Sequence, residues 1–433
     1  MRMKLNKSSQ LMLVSAASLL AAGVLTACGT LTTDFVFVTS SKAAGTYNYG
    51  EIDVFEINKE SGAMRQIPTS PFPSGGRDPV AEAVSTDQTN LYVVNQDDNS
   101  IVQFVIGNDG KVYPQNTVNT PGIYPLAVAV NGANLFVADL YQPLPTCSTA
   151  APCSGSIGVL PINVGTGSEP NDPLGSPITN GDLTYMPLCR TGYTQNTTTG
   201  TWNCKAPETD IIVPTGVNVL KSGADVYVTA YDSTASPFVG YVFGFSVGSG
   251  GAVTPINGGA APIAAGVQPS AVASDATSTY VYVTDFAKGD VLGYSVASGS
   301  LTPLSGSPYP AGGQPAAIVA DPAYPFVYVA NSLDNTVNAY SVGSGALTNL
   351  GTYSTGAQPV AIGIDPSTNH FLYTANYLGS GTNGTVSGYQ LDPTAGTLIN
   401  SQNSPYISNA QPTAVAAIPH NTPTSTSSTS SSQ

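Results

Sequence analysis

The stretch QPAAIVADPAYPFVYVANSLDNTVNAYSVGSGALTNL, from Gln314 to Leu350, decides the fold. It divides into four short runs. A small-residue run, Ala316 to Ala320, ends in an Asp-Pro turn and is followed by the aromatic and β-branched run Phe326 to Ala330. A polar turn leads to Thr336–Val342, and a Gly-Ser-Gly turn leads to Ala346–Leu350. Runs of this length bounded by Gly, Pro, Asn and Asp are strands. Four strands recurring with a period of about 40–50 residues make one blade of a β-propeller.

The second strand recurs seven times: at Phe35, Leu91, Leu135, Val226, Val281, Val327 and Phe371. It is apolar at nearly every position, as expected of a strand covered on both faces. The first strand follows a proline, at Pro79, Pro125, Pro214, Pro269, Pro315, Pro359 and Pro412, and its residues are small. Small residues near the axis and bulky ones outside are the taper that a ring of blades requires. The copy at Phe35 lacks a preceding proline strand, and the strand after Pro412 lacks a successor. Joining them predicts an all-β, seven-bladed propeller over residues 35–418, closed by strands from both termini, which leaves no open sheet edge.

The proline spacings are 46, 89, 55, 46, 44 and 53. The spacing of 89 is close to twice the period, yet residues 165–213 contain no further copy of the second strand and read as an insertion. Extra length falls on one side of the disc. It occupies second-to-third-strand loops, above all residues 140–154, and the fourth-to-first loop at about 179–213. Varied loops on a rigid scaffold are where binding usually resides.

Charged residues make up only 9% of the chain, and the formal net charge is −14. Such a surface repels phosphate backbones and excludes nucleic acid as a partner. The N-terminus carries Arg2, Lys4 and Lys7, then an apolar run from Leu11 to Leu25, then Leu25-Thr26-Ala27-Cys28. This is an export signal over residues 1–27. Its last four residues resemble a bacterial lipobox, which implies a lipid on Cys28, a tether over 28–34 and an extracytoplasmic protein anchored to the cell envelope. Residues 419–433 form a Ser/Thr-rich tail with too little apolar content to fold. Cys147, Cys153, Cys189 and Cys204 remain, an even number in an oxidising compartment. Of three possible pairings, Cys147–Cys153 and Cys189–Cys204 keep each bridge within one loop. No CxxC spacing supports zinc, and the acidic pair Asp97-Asp98 is too little for calcium. No metal and no cofactor are expected.

The repeats resemble the β-propeller lactonase family, best known for 6-phosphogluconolactonase, across residues 35–418, and they share the character of YVTN-type surface propellers at Val281-Tyr282-Val283-Thr284-Asp285. The resemblance rests on the proline strand, the Asp-Pro turn and the FVAD or YVAN element. It implies hydrolysis of a lactone by Arg, His and Glu around the central mouth. Here the corresponding inner-strand starts read Tyr124-Pro125-Leu126-Ala127 and Val213-Pro214-Thr215-Gly216, without His or Arg, and Ala230-Tyr231 stands where the glutamate is often found. His370 and His420 fall in a turn and at the tail on the opposite side. The GxSxG match Gly244–Gly248 lies in a third strand, where a nucleophile elbow cannot form. The GxGxxG match Gly379–Gly384 has no following helix.

The expected function is therefore a non-catalytic binding or scaffold module, monomeric, taking a glycan, a small lactone or a protein on the long-loop face. The alternative is an active lactone hydrolase with Asp139 as base and Arg77 holding the oxyanion. Candidate ligand contacts around the mouth are Arg77, Asp78, Asn95, Tyr124, Asp139, Asp285, Lys288, Asn331 and Asn376. Aromatic residues in the long loops, among them Tyr47, Tyr141, Tyr193, Tyr231 and the sole tryptophan Trp202, suit stacking on a sugar or a protein contact.

Overall fold

In the computed structural model, blade 5 shows the unit at its plainest. Its strands are Pro315–Ala320, Phe326–Asn331, Thr336–Gly343 and Ala346–Ser354, each antiparallel to the next. The structure describes residues 32–44, 49–162, 184–206, 209–366, 371–379 and 383–420. The export segment with Cys28, Tyr47, His370 and the Ser/Thr-rich tail from residue 421 lie outside them.

Seven sheets of this kind form the described ring. Blades 1 to 6 begin at Pro79, Ile123, Ile212, Pro269, Pro315 and Pro359. In blade 7 the strand Thr32–Ala44 lies between the C-terminal strand Pro412–Pro419 and Tyr49–Asn58, with Phe35 opposite Ile418 on one side and Glu56 on the other. Each first strand neighbours the first strand of the next blade, and Pro412–Pro419 neighbours Pro79–Val84, so seven inner strands surround one axis. The chain forms an all-β, seven-bladed propeller.

The core is divided among the seams between blades. Seven hydrophobic clusters are present among the described residues, and each is shared by two adjacent blades. Between blades 4 and 5, for example, Tyr282, Val291 and Tyr309 meet Ile318, Val327, Val329 and Tyr340. This explains the apolar second strand. Val327, Tyr328, Val329 and Ala330 are all fully buried because alternate side chains enter alternate seams. Burial of each large apolar side chain contributes about 1.5–3 kcal/mol.

Tyrosine hydroxyls stitch the seams. Tyr227, Tyr282 and Tyr328 on second strands donate to the carbonyls of Gly299, Gly345 and Gly396 in the third-to-fourth-strand turn of the following blade, at 2.7, 2.9 and 3.2 Å. Gly345 has φ +87°, and a Cβ there would lie 2.5 Å from the Tyr280 ring. The turn can pass beneath the tyrosine only as glycine.

Within the stretch from 179 to 213 read as insertion, Thr184–Pro187 is instead the fourth strand of blade 2, paired with Ser156–Val159. The inserted element proper is a hairpin, Tyr193–Gln195 with Trp202–Cys204. The segment TYMP lacks a β-branched run, which is why its strand character is weak in the sequence.

Candidate functional site

Polar and aromatic side chains gather at two places, the central mouth and the flank beside blade 2. At the mouth, seven residues precede the inner-strand prolines: Asp78, Tyr124, Val213, Gln268, Gln314, Gln358 and Gln411. Asp78, Tyr124, Gln314 and Gln358 have φ between +49° and +56°. Residues held in this region cost of order 1–3 kcal/mol each. The local fold enforces it. The carbonyls of Asp78, Gln268, Gln314 and Gln358 each accept the N–H of the residue after the second strand of the same blade (Gln96, Phe286, Ser332 and Tyr377), all at 2.9 Å.

The polar column at the second-strand ends lies beneath this rim. Asn95, Asp139, Asp285, Asn331 and Asn376 are all fully buried. Asp139 Oδ2 accepts the Gly122 N–H at 3.0 Å. Asp285 accepts the N–H groups of Val267 at 2.7 Å and Gln268 at 3.1 Å. Asn331 Oδ1 accepts the Gly312 N–H at 3.0 Å, while its amide donates to Asn338. Asn376 donates to Thr385 and Ser387. Asp139, Asp285 and Asn331, and Asn376 by accepting the Thr355 hydroxyl, hold the incoming loops of their blades against the end of the second strand. Fully buried, they present no open surface to the mouth. In five of the seven blades a glycine three residues before the inner-strand proline permits the approach: Gly76, Gly122, Gly266, Gly312 and Gly356. A Cβ at Gly122 or Gly312 would lie 2.4 Å from Asp139 or 2.6 Å from Asn331.

Asp139 and Arg77 each have another partner, so the base–oxyanion pair expected from sequence is not assembled. Burial holds the Asp139 carboxyl well above the usual carboxylate range. The Arg77 guanidinium donates to Asp98 at 2.6 Å and to the Asp97 carbonyl at 3.1 Å, half-exposed on the rim. Asp78 beside it is raised by burial and by the Asp97 charge. Lys288 is exposed, and its backbone N–H bonds Asp285. The ring of Tyr124 meets Tyr141 edge-on at 6.1 Å. Away from the mouth, His420 packs edge-on against Phe35 at 5.2 Å. Ser246 of the GxSxG match donates to Asp225 within a strand.

One group escaped the sequence reading. Glu82 is the single charged residue in the seven inner strands. Its carboxylate accepts the Thr39 hydroxyl across the seam to blade 7. Burial, opposed by that bond, pushes its pKa up to about 7. An acid in an otherwise small, apolar inner strand was the signal that could have found it.

The flank is built differently. Cys147–Cys153 closes a tight loop after the second strand of blade 2, and Cys189–Cys204 ties the base of the inserted hairpin. These are the pairings that keep each bridge within one loop. The Tyr193 N–H bonds the Gly259 carbonyl of blade 3 at 2.8 Å, and its ring meets Phe245 at 6.0 Å. Arg190 pairs with Asp210. Trp202 backs onto Gly259, where a Cβ would lie 3.0 Å from the indole. Between the hairpin, the outer strand of blade 2 and Ala252–Thr254 of blade 3 lies a cleft of about 590 Å³. A second cleft of about 650 Å³, lined by Leu144, Cys153, Lys205 and Asp210 among others, adjoins it.

The model of the family described as "Lactonase, 7-bladed beta-propeller" matches residues 43–149 and 301–417. The chain belongs to this family. The inserted hairpin falls between the two matched segments. A search of curated protein sequences found no match. Among solved structures, a candidate 6-phosphogluconolactonase of Bacteroides uniformis superposes with TM-score 0.66 at 17% identity, covering 89% of this chain and 99% of its own. A candidate 6-phosphogluconolactonase of Bacteroides fragilis gives 0.64 at 18%, covering 89% and 98%. The periplasmic gluconolactonase of Pseudomonas aeruginosa gives 0.62 at 18%, covering 89% and 99%. Likeness at this identity speaks for the fold.

Proposed function

We propose that this member of the lactonase propeller family is an extracytoplasmic binding module, held to the cell envelope by a lipid on Cys28, whose mouth performs no lactone hydrolysis. One observation carries the reading. The five polar side chains at the second-strand ends are fully buried, four of them hold the incoming loops, and Arg77 on the rim is paired with Asp98. A hydrolase needs a base and an oxyanion donor that reach the substrate. Two disulfides support the extracytoplasmic assignment. The mouth-side loops also suit contact with a partner: Leu144, Phe238, Leu333 and Leu378 are exposed there, Leu333 to 64%. The module is proposed to act as a monomer, with a glycan, a small lactone or a protein as its ligand class and no nucleic acid.

The second reading, a lactone hydrolase, has Glu82 on its side, a carboxyl poised near neutrality on an inner strand. The two readings separate by titrating acid release from a panel of γ- and δ-lactones with the purified full chain. The binding reading expects no rate above buffer. A saturable rate with any member would establish the hydrolase in its place.

A further inference from the structure

The flank cleft is uncharged and lined by aromatic, amide and hydroxyl side chains. No Asp, Glu, Lys or Arg lines it, although the adjoining cleft presents Lys205 and Asp210. Two flat aromatic side chains do: Tyr185, 38% exposed, and Trp202, the sole tryptophan of the chain. Around them stand side-chain amides and hydroxyls, notably Gln142, Gln195, Thr201 and Asn203. An amide offers donor and acceptor together, and a hydroxyl does the same. A charged ligand would find no counter-charge in such a site, and a purely apolar one would leave the amides unpaired on desolvation. A ligand with uncharged hydroxyls and flat C–H faces satisfies both halves.

The walls are also fixed in advance. Cys189–Cys204 ties the hairpin, and the hairpin is bonded to Gly259 of blade 3. The Gln142 amide donates to the Ser154 carbonyl at 3.1 Å, and Gln195 donates to Gly200 at 3.2 Å, which sets the direction of each amide. A pre-formed cleft loses little entropy on binding. Its volume lies within the range of about 300–1,000 Å³ usual for small-ligand sites.

We propose that this cleft binds a neutral oligosaccharide, with Tyr185 and Trp202 stacking on sugar faces and the amides reading hydroxyls. The proposal rests on the binding-module reading and gives it a ligand class and a site away from the mouth.

The sole tryptophan supplies the assay. The full chain is titrated with short neutral oligosaccharides of the β-glucan, α-glucan, xylan, mannan and chitin series while Trp202 emission is followed. At least one series is expected to give a saturable change. Tyr185→Ala should weaken that titration about 10-fold or more, Tyr185→Phe should retain it, and Gln195→Ala should weaken it about 5-fold, as expected for a stacking contact and one polar contact. Glu82→Gln at the mouth should leave it unchanged. Tyr185 and Gln195 are exposed, and unchanged thermal midpoints will show that these variants fold. Silence across all five series, or a titration indifferent to Tyr185→Ala in a folded variant, overturns the proposal. Lactone turnover with a silent titration overturns both this proposal and the reading on which it rests. A silent titration without turnover overturns the cleft alone.

Discussion

Blade 5 and the flank beside blade 2 satisfy the same physical demands by different means. In blade 5 the second-strand side chains Phe326, Val327, Tyr328 and Val329 enter the seams, and Tyr328 reaches the Gly396 carbonyl of the next blade. No covalent brace is needed. The inserted hairpin has two three-residue strands and buries Tyr193 and Cys189 with little else. A two-stranded hairpin is marginal on its own, and here a disulfide and a backbone bond to blade 3 hold it. The regular part of the ring therefore reports packing. The part that departs from the repeat has rigidity without a repeat to explain it, and the uncharged cleft lies there.

The contrast can be broken by mutation. The largest effect is expected from Tyr328→Ala, which empties two faces of a seam and removes a bond. It should cost about 3–5 kcal/mol and lower the global denaturant midpoint. A midpoint that does not move would refute the claim that the seams carry the stability. Next comes the pair Cys189→Ser and Cys204→Ser. Opening this loop should release roughly 3 kcal/mol of local constraint, seen as faster hydrogen exchange in residues 189–204 while the global midpoint stays near wild type. Loss of the whole fold instead would show that the hairpin is integral to the ring.

A comparable effect is expected from pH. Glu82 rises from its ordinary 4.5 to about 7, and Asp34, desolvated beside the Asp365 charge, rises from 3.8 to about 8. A carboxyl raised in the folded state binds its proton more tightly there than in the unfolded chain. Its stabilisation is full below the unfolded value and is lost as pH rises through the folded value. Stability should therefore fall between about pH 4.5 and 7 for Glu82, by up to about 3 kcal/mol, and continue falling toward pH 8 for Asp34. Urea melts across this window check the sign, and Glu82→Gln should flatten the lower part. A stability that rises over the same window would contradict the burial of these groups. The smallest effect is expected from Asp139→Asn. The residue is a buried acid that accepts one backbone N–H, and the amide keeps that acceptor, so the change should stay within about 1 kcal/mol. A loss of several kcal/mol would mean that Asp139 is charged in the fold.

Much of the architecture was legible because strand period and punctuation are local signals. The proline strands, the seven second strands and the side of the disc that carries the long loops all follow from spacing. The site was less legible. Asn95, Asp139, Asp285, Asn331 and Asn376 stand at second-strand ends as the repeat implies, but exposure depends on whether the incoming loop folds over them. The glycine three residues before five of the seven prolines was the clue, at Gly76, Gly122, Gly266, Gly312 and Gly356. Glu82 gains its character from Thr39, a residue 43 positions away that only ring geometry brings near. The uncharged cleft joins residue 142 to residue 254 and has no local signature at all.

The central claim is that the mouth is structural. Its most direct test is the rate of δ-lactone ring opening by the full chain and by Glu82→Gln, measured side by side from pH 5 to pH 9, a range bracketing the carboxyl at about 7. Both proteins are expected to match buffer at every pH. A wild-type rate that climbs as Glu82 ionises and disappears in Glu82→Gln would contradict it.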